Sequence, residues 1–267
     1  MKQRNIILLL VILMLLLNIL YKTRESFNGE NINLNKYKLN VIIPIRNREE
    51  DLNNITDRLE EIFNSQGIHA KYYIIEQSEK NKFNKGKICN AAFIESLKDG
   101  FSDNYLFNDV DVYPQKTRKN NIIDFKYHKN DNNKKNIRHP YGFDHCLGCL
   151  FMIKADTYKK INGFSNQYYG WGGEDHDIQK RAEVLDVNID RHNFIKRGNK
   201  KKIYDDWSKE KITSGNNKTN QDIKFKLRAM YKRNKNTIKK DGVNNCQYKI
   251  VSSSLYKNKM KRIKVDV

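Results

Sequence analysis

Cysteine is scarce in this sequence, with four residues among 267. Cys146 and Cys149 have the separation found in zinc sites, but a structural zinc site needs two further ligands at matched spacing. Cys89 and Cys246 lie far from this pair in the sequence. The pair also lacks the strand-to-helix context of a redox motif. The sequence therefore argues against a structural zinc module, and it favours buried free thiols or a single adventitious disulfide.

Acidic residues are outnumbered, 31 against 51 Lys and Arg, so the formal net charge is +20. A basic surplus of this size is compatible with nucleic acid, an anionic membrane surface or an acidic ligand. Much of the surplus follows residue 195, and no helix-turn-helix, zinc-finger or RNP-like pattern accompanies it. We therefore expect a solvated basic surface and no nucleic-acid partner.

A run of apolar residues extends from Ile6 to Leu20, interrupted only by Asn18. A helix over this run would be roughly 24 Å long, short for a bilayer but close to a thin internal membrane. No small-x-small cleavage site follows it. We therefore predict an uncleaved signal anchor at residues 1–21, a polar stem at 22–38 and a folded domain at 39–267. Basic residues flank both ends of the run, so charge does not set its orientation.

Strand-like and helix-like segments alternate after residue 38. The hydrophobic spacing predicts strands at Leu39–Ile45, Tyr72–Ile75 and Tyr105–Phe107, and helices at Glu49–Phe63 and Gly86–Leu97. This order indicates an α/β fold with parallel strands wound by helices. Ligands of such sheets bind beyond the carboxyl ends of the strands. The turns at Arg46 and Asp109 should therefore converge on one site.

The second half of the chain is less regular. Its pattern predicts a surface loop at Lys116–Arg138, a strand at Cys149–Ile153, helices at Ala155–Ile161 and Glu174–Glu183, and a loop at Lys196–Asn220.

Two carboxylates follow the third strand, in Asp109-Val110-Asp111. Carboxylates one residue apart in a turn can both face one divalent ion, and Mn²⁺ and Mg²⁺ prefer oxygen ligands. Such an ion would offset the charge of a diphosphate leaving group. An Asp-x-Asp pair alone is more often a turn cap, so this motif depends on its context.

A more specific motif runs from Gly170 through Trp171, Gly172 and Gly173 to Glu174 and Asp175. Glycines on both sides of a tryptophan permit close approach of the backbone to a ligand, and the indole offers a flat face to a sugar ring. The two carboxylates fall at a predicted helix start, where amide groups can hold them. One of them could deprotonate an acceptor hydroxyl.

These motifs together resemble the β-1,4-galactosyltransferase family, enzymes with a GT-A type fold. The resemblance covers most of the chain from Leu39 onward, and it rests on four blocks and a tail: Val41–Arg48, Phe83–Asn90, Asp109–Asp111, Ile161–Asp177, and Asp241–Asn244 with Tyr248. It implies a Rossmann-like mixed sheet flanked by helices.

The resemblance also implies roles for individual residues. Asp175 would be the catalytic base, and Glu174 would bind sugar hydroxyls. Asp111 would be a metal ligand, with Asp109 beside it on the donor. Residues implied to contact the donor are Pro44, Arg46, Arg48, Phe83, Lys85, Asp109, Val110, Trp171 and Gly173. Lys85 stands where the family usually has arginine, so a phosphate contact there would be less bidentate.

The family completes its metal site with a Met-x-x-His pair, and no histidine follows His192 here. The matching stretch contains Asp205, whose oxygen also suits Mn²⁺ or Mg²⁺. The resemblance implies an inverting, metal-dependent transferase that moves a sugar, galactose first among the candidates, from a UDP-sugar to a glycan or glycoprotein acceptor. Two alternatives stay open: a chondroitin-synthase-like transferase of N-acetylgalactosamine, and a degenerate module that binds without turnover.

A signal anchor followed by a stem fits the single-pass, type II membrane topology of this family. The resemblance therefore implies an enzyme of the secretory pathway that faces a Golgi-like lumen and contacts the membrane through its N-terminal helix.

Overall fold

The computed structural model describes Met14 alone and then residues Tyr37–Pro114, 123–126, Ile137–Arg197, Tyr204–Asp206 and Lys218–Val267. One compact unit spans Tyr37–Val267. Apart from Met14, the predicted anchor lies outside the described residues, as does most of the predicted stem. No helix in the described part combines the length and apolar character that a membrane span requires.

Five α-helices and two short 3-10 helices occur among the described residues. The α-helices are α1 (Glu49–Gln66), α2 (Lys85–Leu97), α3 (Ala155–Lys160), α4 (Glu174–Val184) and α5 (Lys218–Arg233), and the 3-10 helices are Lys235–Lys240 and Val243–Asn245.

The described strands are mostly short. They are β1 (Tyr37–Ile45), β2 (Ile68–Gln77), β3 (Asn104–Asn108), β4 (Val112–Pro114), β5 (Ile137–Gly142), β6 (Leu150–Lys154), β7 (Ile189–Asp190), β8 (Ile195–Lys196), β9 (Tyr204–Asp206), β10 (Lys249–Tyr256) and β11 (Met260–Asp266).

Within the described chain, the main sheet runs β10-β11-β2-β1-β3-β6-β5-β7, with β8 also paired to β5, and β4 pairs with β9 in a separate two-stranded sheet. Pairing is parallel between β1 and β2, β1 and β3, and β2 and β11. It is antiparallel between β3 and β6, β5 and β6, and β10 and β11. The predicted mixed α/β sheet with flanking helices is therefore confirmed.

Hydrophobic side chains cover both faces of the sheet. Leu52, Ile55 and Leu59 of α1 pack on one face against alternate residues of β1. Ile88, Ala92 and Phe93 of α2 pack on the other face. Because side chains of a strand alternate between faces, β1 supplies both layers, and its second half is a continuous apolar run from Val41 to Ile45.

The predicted loop at Lys116–Arg138 is wrong at its end, because Ile137 and Arg138 begin β5. Within the same segment Phe125 is fully buried and meets the Phe63 ring edge-on at 5.4 Å between centroids. An isolated apolar residue among polar ones gives no periodic signal, so the sequence pattern missed this contact.

The predicted loop at Lys196–Asn220 likewise ends too late, because α5 begins at Lys218. Strand β1 begins at Tyr37, two residues before the predicted boundary of the domain. All four cysteines are free thiols.

Candidate active site

The loop before α4 brings its backbone close to other groups. Gly170, Gly172 and Gly173 all have positive φ, at 75°, 88° and 104°. A Cβ at Gly173 would lie 2.5 Å from the ring of Tyr168, so this position excludes any side chain. Trp171 between these glycines is 53% exposed. The tryptophan is therefore not a core residue, and its ring is available at the surface.

Asn220 of α5 fixes this loop through hydrogen bonds to its backbone. Its side-chain amide donates hydrogen bonds to the carbonyls of Tyr169, Trp171 and Gly172, at 3.1, 3.2 and 2.7 Å. Asn220 is 2% exposed. The sequence pattern did not single out this residue, because the helix that carries it is separated in sequence from the tryptophan loop.

Lys85, the first residue of α2, lies at the centre of an acidic cluster. Its Nζ is 2.8 Å from Asp175 Oδ1, 3.2 Å from Asp109 Oδ1 and 3.5 Å from Glu174 Oε1. Asn84 caps the helix by accepting a hydrogen bond from the amide of Lys87. The structure therefore brings the Asp109 turn together with the glutamate and aspartate at the start of α4, around a lysine that begins α2.

The charges of the Lys85 cluster are unequally compensated. Burial lowers the pKa of Lys85, but the carboxylates of Asp109, Asp175 and Glu174 outweigh that effect and raise it well above its usual value. Burial, with the like charges of Glu174 and Asp109, raises the pKa of Asp175 to about 8 although Lys85 opposes the shift. One ammonium faces three carboxylates, so the cluster attracts a further cation or hydroxyl donor.

One carboxylate oxygen of Glu174 is also left without a hydrogen bond. Its Oε2 atom is buried and has no hydrogen-bond partner among the described residues. Unpaired buried oxygens are unfavourable in isolation and are commonly satisfied by a ligand, ion or water. The orphaned oxygen fits a hydrogen-bond donor such as a sugar hydroxyl.

The Asp109 turn is fixed by strand β6 and its preceding residue. Asp109 donates its amide to the carbonyl of Cys149 at 2.8 Å, and its Oδ2 accepts from the Cys149 amide at 3.2 Å. Asn108 donates to the carbonyls of Asp109 and Val112. Val110 is 8% exposed, so it anchors the turn in the core.

Asp111 faces a second group of polar residues. Burial, followed by Asp51 and to a smaller extent the charge of Asp111, raises the pKa of Tyr113 above the usual range. The Tyr113 hydroxyl donates to Asp51 Oδ1 at 2.5 Å, and Arg48 donates to Asp51 Oδ2 at 3.0 Å. Arg48 is thus held beside the Asp111 turn through Asp51.

Asp205 lies in β9, and the pairing of β9 with β4 sets it opposite Tyr113. The backbone register therefore brings this residue beside the strand that directly follows Asp111.

The carboxyl end of β1 reaches the same region. Pro44 lines a small cavity together with Lys85, Asp109 and Asp175. The Arg46 guanidinium lies 5.1 Å from the centroid of the Phe83 ring, and it donates to a backbone carbonyl at 2.8 Å. The carboxyl end of β1 therefore meets the Asp109 turn at Pro44, as the strand order predicts, whereas the Arg46 side chain packs on Phe83.

Gly148 is a further site residue that the sequence pattern did not assign. A Cβ at this position would lie 2.5 Å from Asp175 Oδ2. The amide of neighbouring Leu147 donates to the Asp175 carbonyl at 3.0 Å. A glycine within the Cys146–Cys149 turn was the available signal, but only the structure brings it against the carboxylate.

Comparison with known proteins agrees with this geometry. Residues 20–122 match the family described as the N-terminal region of glycosyl transferase group 7. Residues 130–206 match the family described as the N-terminal domain of galactosyltransferase. Together the two matches cover more than half of the chain.

Among individual relatives, β-1,4-galactosyltransferase 4 of Cricetulus griseus is 31% identical over 228 residues, which are 82% of this chain and 61% of that protein. Human β-1,4-galactosyltransferase 4 is 32% identical over 158 residues, 57% of this chain and 44% of that protein. The chain thus spans about half the length of these relatives.

The fold also matches a solved structure. A Drosophila β-1,4-galactosyltransferase 7 variant, in complex with manganese, UDP-Gal and xylobiose, superimposes with a TM-score of 0.63 at 19% identity, covering 86% of this chain and 94% of that one. The family matches, the relatives and the shared fold agree, and the chain belongs to the β-1,4-galactosyltransferase family.

Proposed function

We propose that this protein transfers galactose from UDP-galactose to a hydroxyl group of a glycan acceptor, with inversion at the anomeric carbon. The observation that carries the proposal is the position of Asp175 at the start of α4, beside Lys85 and next to the exposed Trp171 loop. Family membership supports the reaction class, and the UDP-Gal bound by the Drosophila structure supports the donor.

In the proposed reaction Asp175 takes the proton of the acceptor hydroxyl. The oxygen then attacks the anomeric carbon while the bond from that carbon to the diphosphate breaks, and UDP leaves. A base is most effective when its pKa lies near the working pH, and burial raises the pKa of Asp175 to about 8. Gly148 leaves room for the carboxylate at this position.

Other residues of the site would bind and orient the reactants. Glu174, with its buried unpaired Oε2, would accept a hydrogen bond from a sugar hydroxyl. Trp171 would cover one face of the sugar rings. On the donor side we propose Pro44, Arg46, Arg48, Phe83, Lys85, Asp109, Val110 and Gly173 as the residues that line or shape the nucleotide and phosphate region.

We propose Asp111 and Asp205 as the protein ligands of a divalent ion. Oxygen donors suit Mn²⁺, and the Drosophila structure was solved with manganese. When bound, the ion would offset the charge that develops on the departing diphosphate. The backbone pairing of β9 with β4 supports the choice of Asp205.

A donor screen tests this function. Purified protein is incubated with UDP-galactose, UDP-N-acetylgalactosamine and other UDP-sugars, with a glycan acceptor panel that includes xylobiose, and UDP release is measured with and without Mn²⁺. We expect release that is fastest with UDP-galactose and that requires the ion. Faster release from UDP-N-acetylgalactosamine would show that the proposed donor is wrong. UDP binding without turnover of any donor would show that the proposed transferase activity is wrong.

The two metal ligands are tested by Asp111→Asn and Asp205→Ala in the same assay. Both variants should lose ion-dependent UDP release. Asp156→Asn is the matched control, because its carboxylate is 99% exposed on α3. Unchanged dependence on Mn²⁺ in Asp205→Ala would remove that residue from the site.

We also propose that residues 1–21 anchor the protein in a membrane of the secretory pathway, with the domain in the lumen. The apolar run from Ile6 to Leu20 supports this proposal. Alkaline extraction of membranes should leave the full chain in the pellet and release a chain that starts at residue 22. Release of both forms would contradict the anchor.

A further inference from the structure

A second group of possible metal ligands lies outside the Lys85 cluster. His145 and Cys146 belong to the turn that precedes β6, and His176 belongs to the first turn of α4. One ligand atom from each side chain lies within 4.8 Å of the other two. The rings of the two histidines are 5.2 Å apart between centroids, at 35° to one another.

The donor atoms of this group select a different class of ion from the carboxylate site. Two imidazole nitrogens and one thiolate are ligands for Zn²⁺, Co²⁺ or Cu²⁺, whereas Mn²⁺ and Mg²⁺ prefer oxygen. We propose that His145, Cys146 and His176 form a binding site for Zn²⁺ or a similar soft divalent cation, separate from the Asp111 site.

The surroundings of His145 orient its ring for this role. Its Nδ1–H donates to Asp144 Oδ1 at 3.2 Å, which leaves Nε2 available to an ion. A histidine that binds a metal commonly donates its other nitrogen to a carboxylate in this way. Lys196 fixes the same carboxylate by donating to Oδ2 at 2.7 Å.

Ion binding requires only a small rearrangement. Bond lengths of about 2.0 Å to nitrogen and 2.3 Å to sulfur give distances of roughly 3.3 to 3.7 Å between tetrahedral ligands. The group must therefore contract by about 1 Å from its present spread. The side chain of His145 is 60% exposed, so rotation of this residue can close the site.

The described residues place three protein ligands in this group. His145 and His176 also line an open pocket between α4 and α5. A fourth coordination position is therefore accessible to water or to a small ligand from that pocket, as in zinc sites with three protein ligands.

An ion at this site would connect two segments that frame Asp175. His176 directly follows Asp175, and Cys146 precedes Leu147, whose amide already donates to the Asp175 carbonyl at 3.0 Å. The ion would add a bond between the same two segments and so restrict the movement of the turn against α4.

Cobalt titration of the full chain in detergent, stripped of metal beforehand, tests the proposal without any need for turnover. A thiolate bound to Co²⁺ gives a sulfur-to-metal charge-transfer band, which oxygen ligands do not give. We expect one equivalent of Co²⁺ to produce this band and Zn²⁺ to abolish it by displacement. Binding releases the thiol proton, so the band should strengthen as the pH rises.

Variants assign the ligands. Cys146→Ser should eliminate the band. His145→Ala should weaken Co²⁺ affinity at least about tenfold, because removing a metal ligand costs no less affinity than removing a residue that hydrogen-bonds to one. Asp144→Ala should weaken affinity by about 10 to 100-fold. Cys246→Ser and His192→Ala are controls at a thiol and an exposed imidazole outside the group.

Both controls should retain the wild-type band. Circular dichroism shows whether each variant is folded. If Cys146→Ser does not fold, His145→Ala tests the site in its place, because the His145 side chain is exposed. Absence of the band in the wild type, or its survival in Cys146→Ser, would overturn the proposal.

Discussion

Helix α4 carries two charged clusters that differ in how completely their charges are compensated. In its last turn, Arg181 is fully buried. It donates to Asp177 Oδ2 at 2.6 Å, to Asp241 Oδ2 at 3.1 Å and to the Tyr231 hydroxyl at 3.0 Å. Its remaining donors meet the backbone carbonyls of Asn162, Gly163 and Asp241.

The cluster at the start of the same helix is arranged differently. There one lysine faces three carboxylates, and Glu174 Oε2 has no partner in the described part of the chain. Burial lowers the pKa of Arg181, but Asp177, Tyr231 and Asp241 raise it above the usual value, so the guanidinium stays charged. Burial and like charges instead push the pKa of Asp175 up to about 8.

The difference separates structure from function. A buried charge whose hydrogen bonds are complete holds elements together, here α4, α5 and the segment around Asp241. A cluster with excess charge of one sign and an unpaired oxygen is unfavourable for stability, and it is suited to receive a substrate. The following predictions test this division, from the largest expected effect to the smallest.

Replacement of Arg181 should have the largest effect. Arg181→Met leaves the carboxylates of Asp177 and Asp241 buried without a counter-ion, and breaking such a network destabilises by about 3–5 kcal/mol. Thermal unfolding followed by circular dichroism should show a decrease in Tm of roughly 6 to 20 °C.

The control for Arg181 is Lys180→Met on the neighbouring position. Lys180 makes a half-exposed pair with Glu183 at 3.0 Å, and such pairs contribute about 0–1 kcal/mol. Equal losses of Tm in Arg181→Met and Lys180→Met would show that the buried network does not stabilise the fold.

Gly148→Ala should affect turnover more than stability. The added Cβ would lie 2.5 Å from Asp175 Oδ2, so the carboxylate must move. A displacement of about 1 Å in a catalytic group can reduce the rate about 100-fold. UDP release and Tm are measured on the same preparation. Gly100→Ala is the control for turnover alone: a Cβ there would meet no atom within 4 Å, but the φ of 55° strains an alanine and should lower Tm. Normal turnover in Gly148→Ala would mean that the position of Asp175 does not limit the reaction.

Trp171→Ala should weaken acceptor binding. The ring is 53% exposed, so its removal should leave Tm unchanged within about 1 °C. Loss of one aromatic contact with a sugar should raise the acceptor KM by about tenfold, equivalent to about 1.4 kcal/mol. Steady-state kinetics over acceptor concentration measure this change, and a Tm decrease like that of a core mutation would assign the tryptophan to structure.

The last prediction concerns the pH dependence of stability. The pKa of Asp175 is about 8 when folded, and an aspartate in an unfolded chain has a pKa near 3.9. Between these values the folded state binds more protons than the unfolded state, so the group makes the fold progressively less stable as pH rises from about 4 to 8.

Asp175→Asn does not titrate, so its Tm should exceed that of the wild type by a margin that grows as the pH rises across this window. Thermal melts at about pH 5, 6, 7 and 8 measure this difference in Tm. Asp156→Asn should show no such trend because its carboxylate is exposed. A margin that shrinks as the pH rises would contradict the assigned direction.

The elements up to β3 could be predicted from the sequence because their apolar residues follow regular periods. Helix α1 was predicted at Glu49–Phe63 and extends to Gln66, and β3 was predicted at Tyr105–Phe107 and gains one residue at each end. Phe125 could not be placed, because nothing local distinguishes a buried aromatic residue in a polar segment.

The candidate site shows the same limit. Asp109, Glu174 and Asp175 were identified from short motifs, whose chemistry is evident in the residue types. Gly148 and Asn220 matter because they contact residues distant in sequence, and a single sequence carries no record of such contacts. The pairing of Lys85 with all three carboxylates could not be predicted for the same reason, because it depends on how the turn after β3 and the start of α4 lie in space.

Turnover by Asp175→Asn tests the central claim most directly. UDP release from UDP-galactose is measured for the variant and the wild type with Mn²⁺, the same acceptor and equal amounts of folded protein. The proposed role of Asp175 as base predicts a decrease of about 10² to 10⁴-fold, with a Tm no lower than that of the wild type. Turnover equal to the wild type, or a loss of activity that only follows a loss of folded protein, would contradict it.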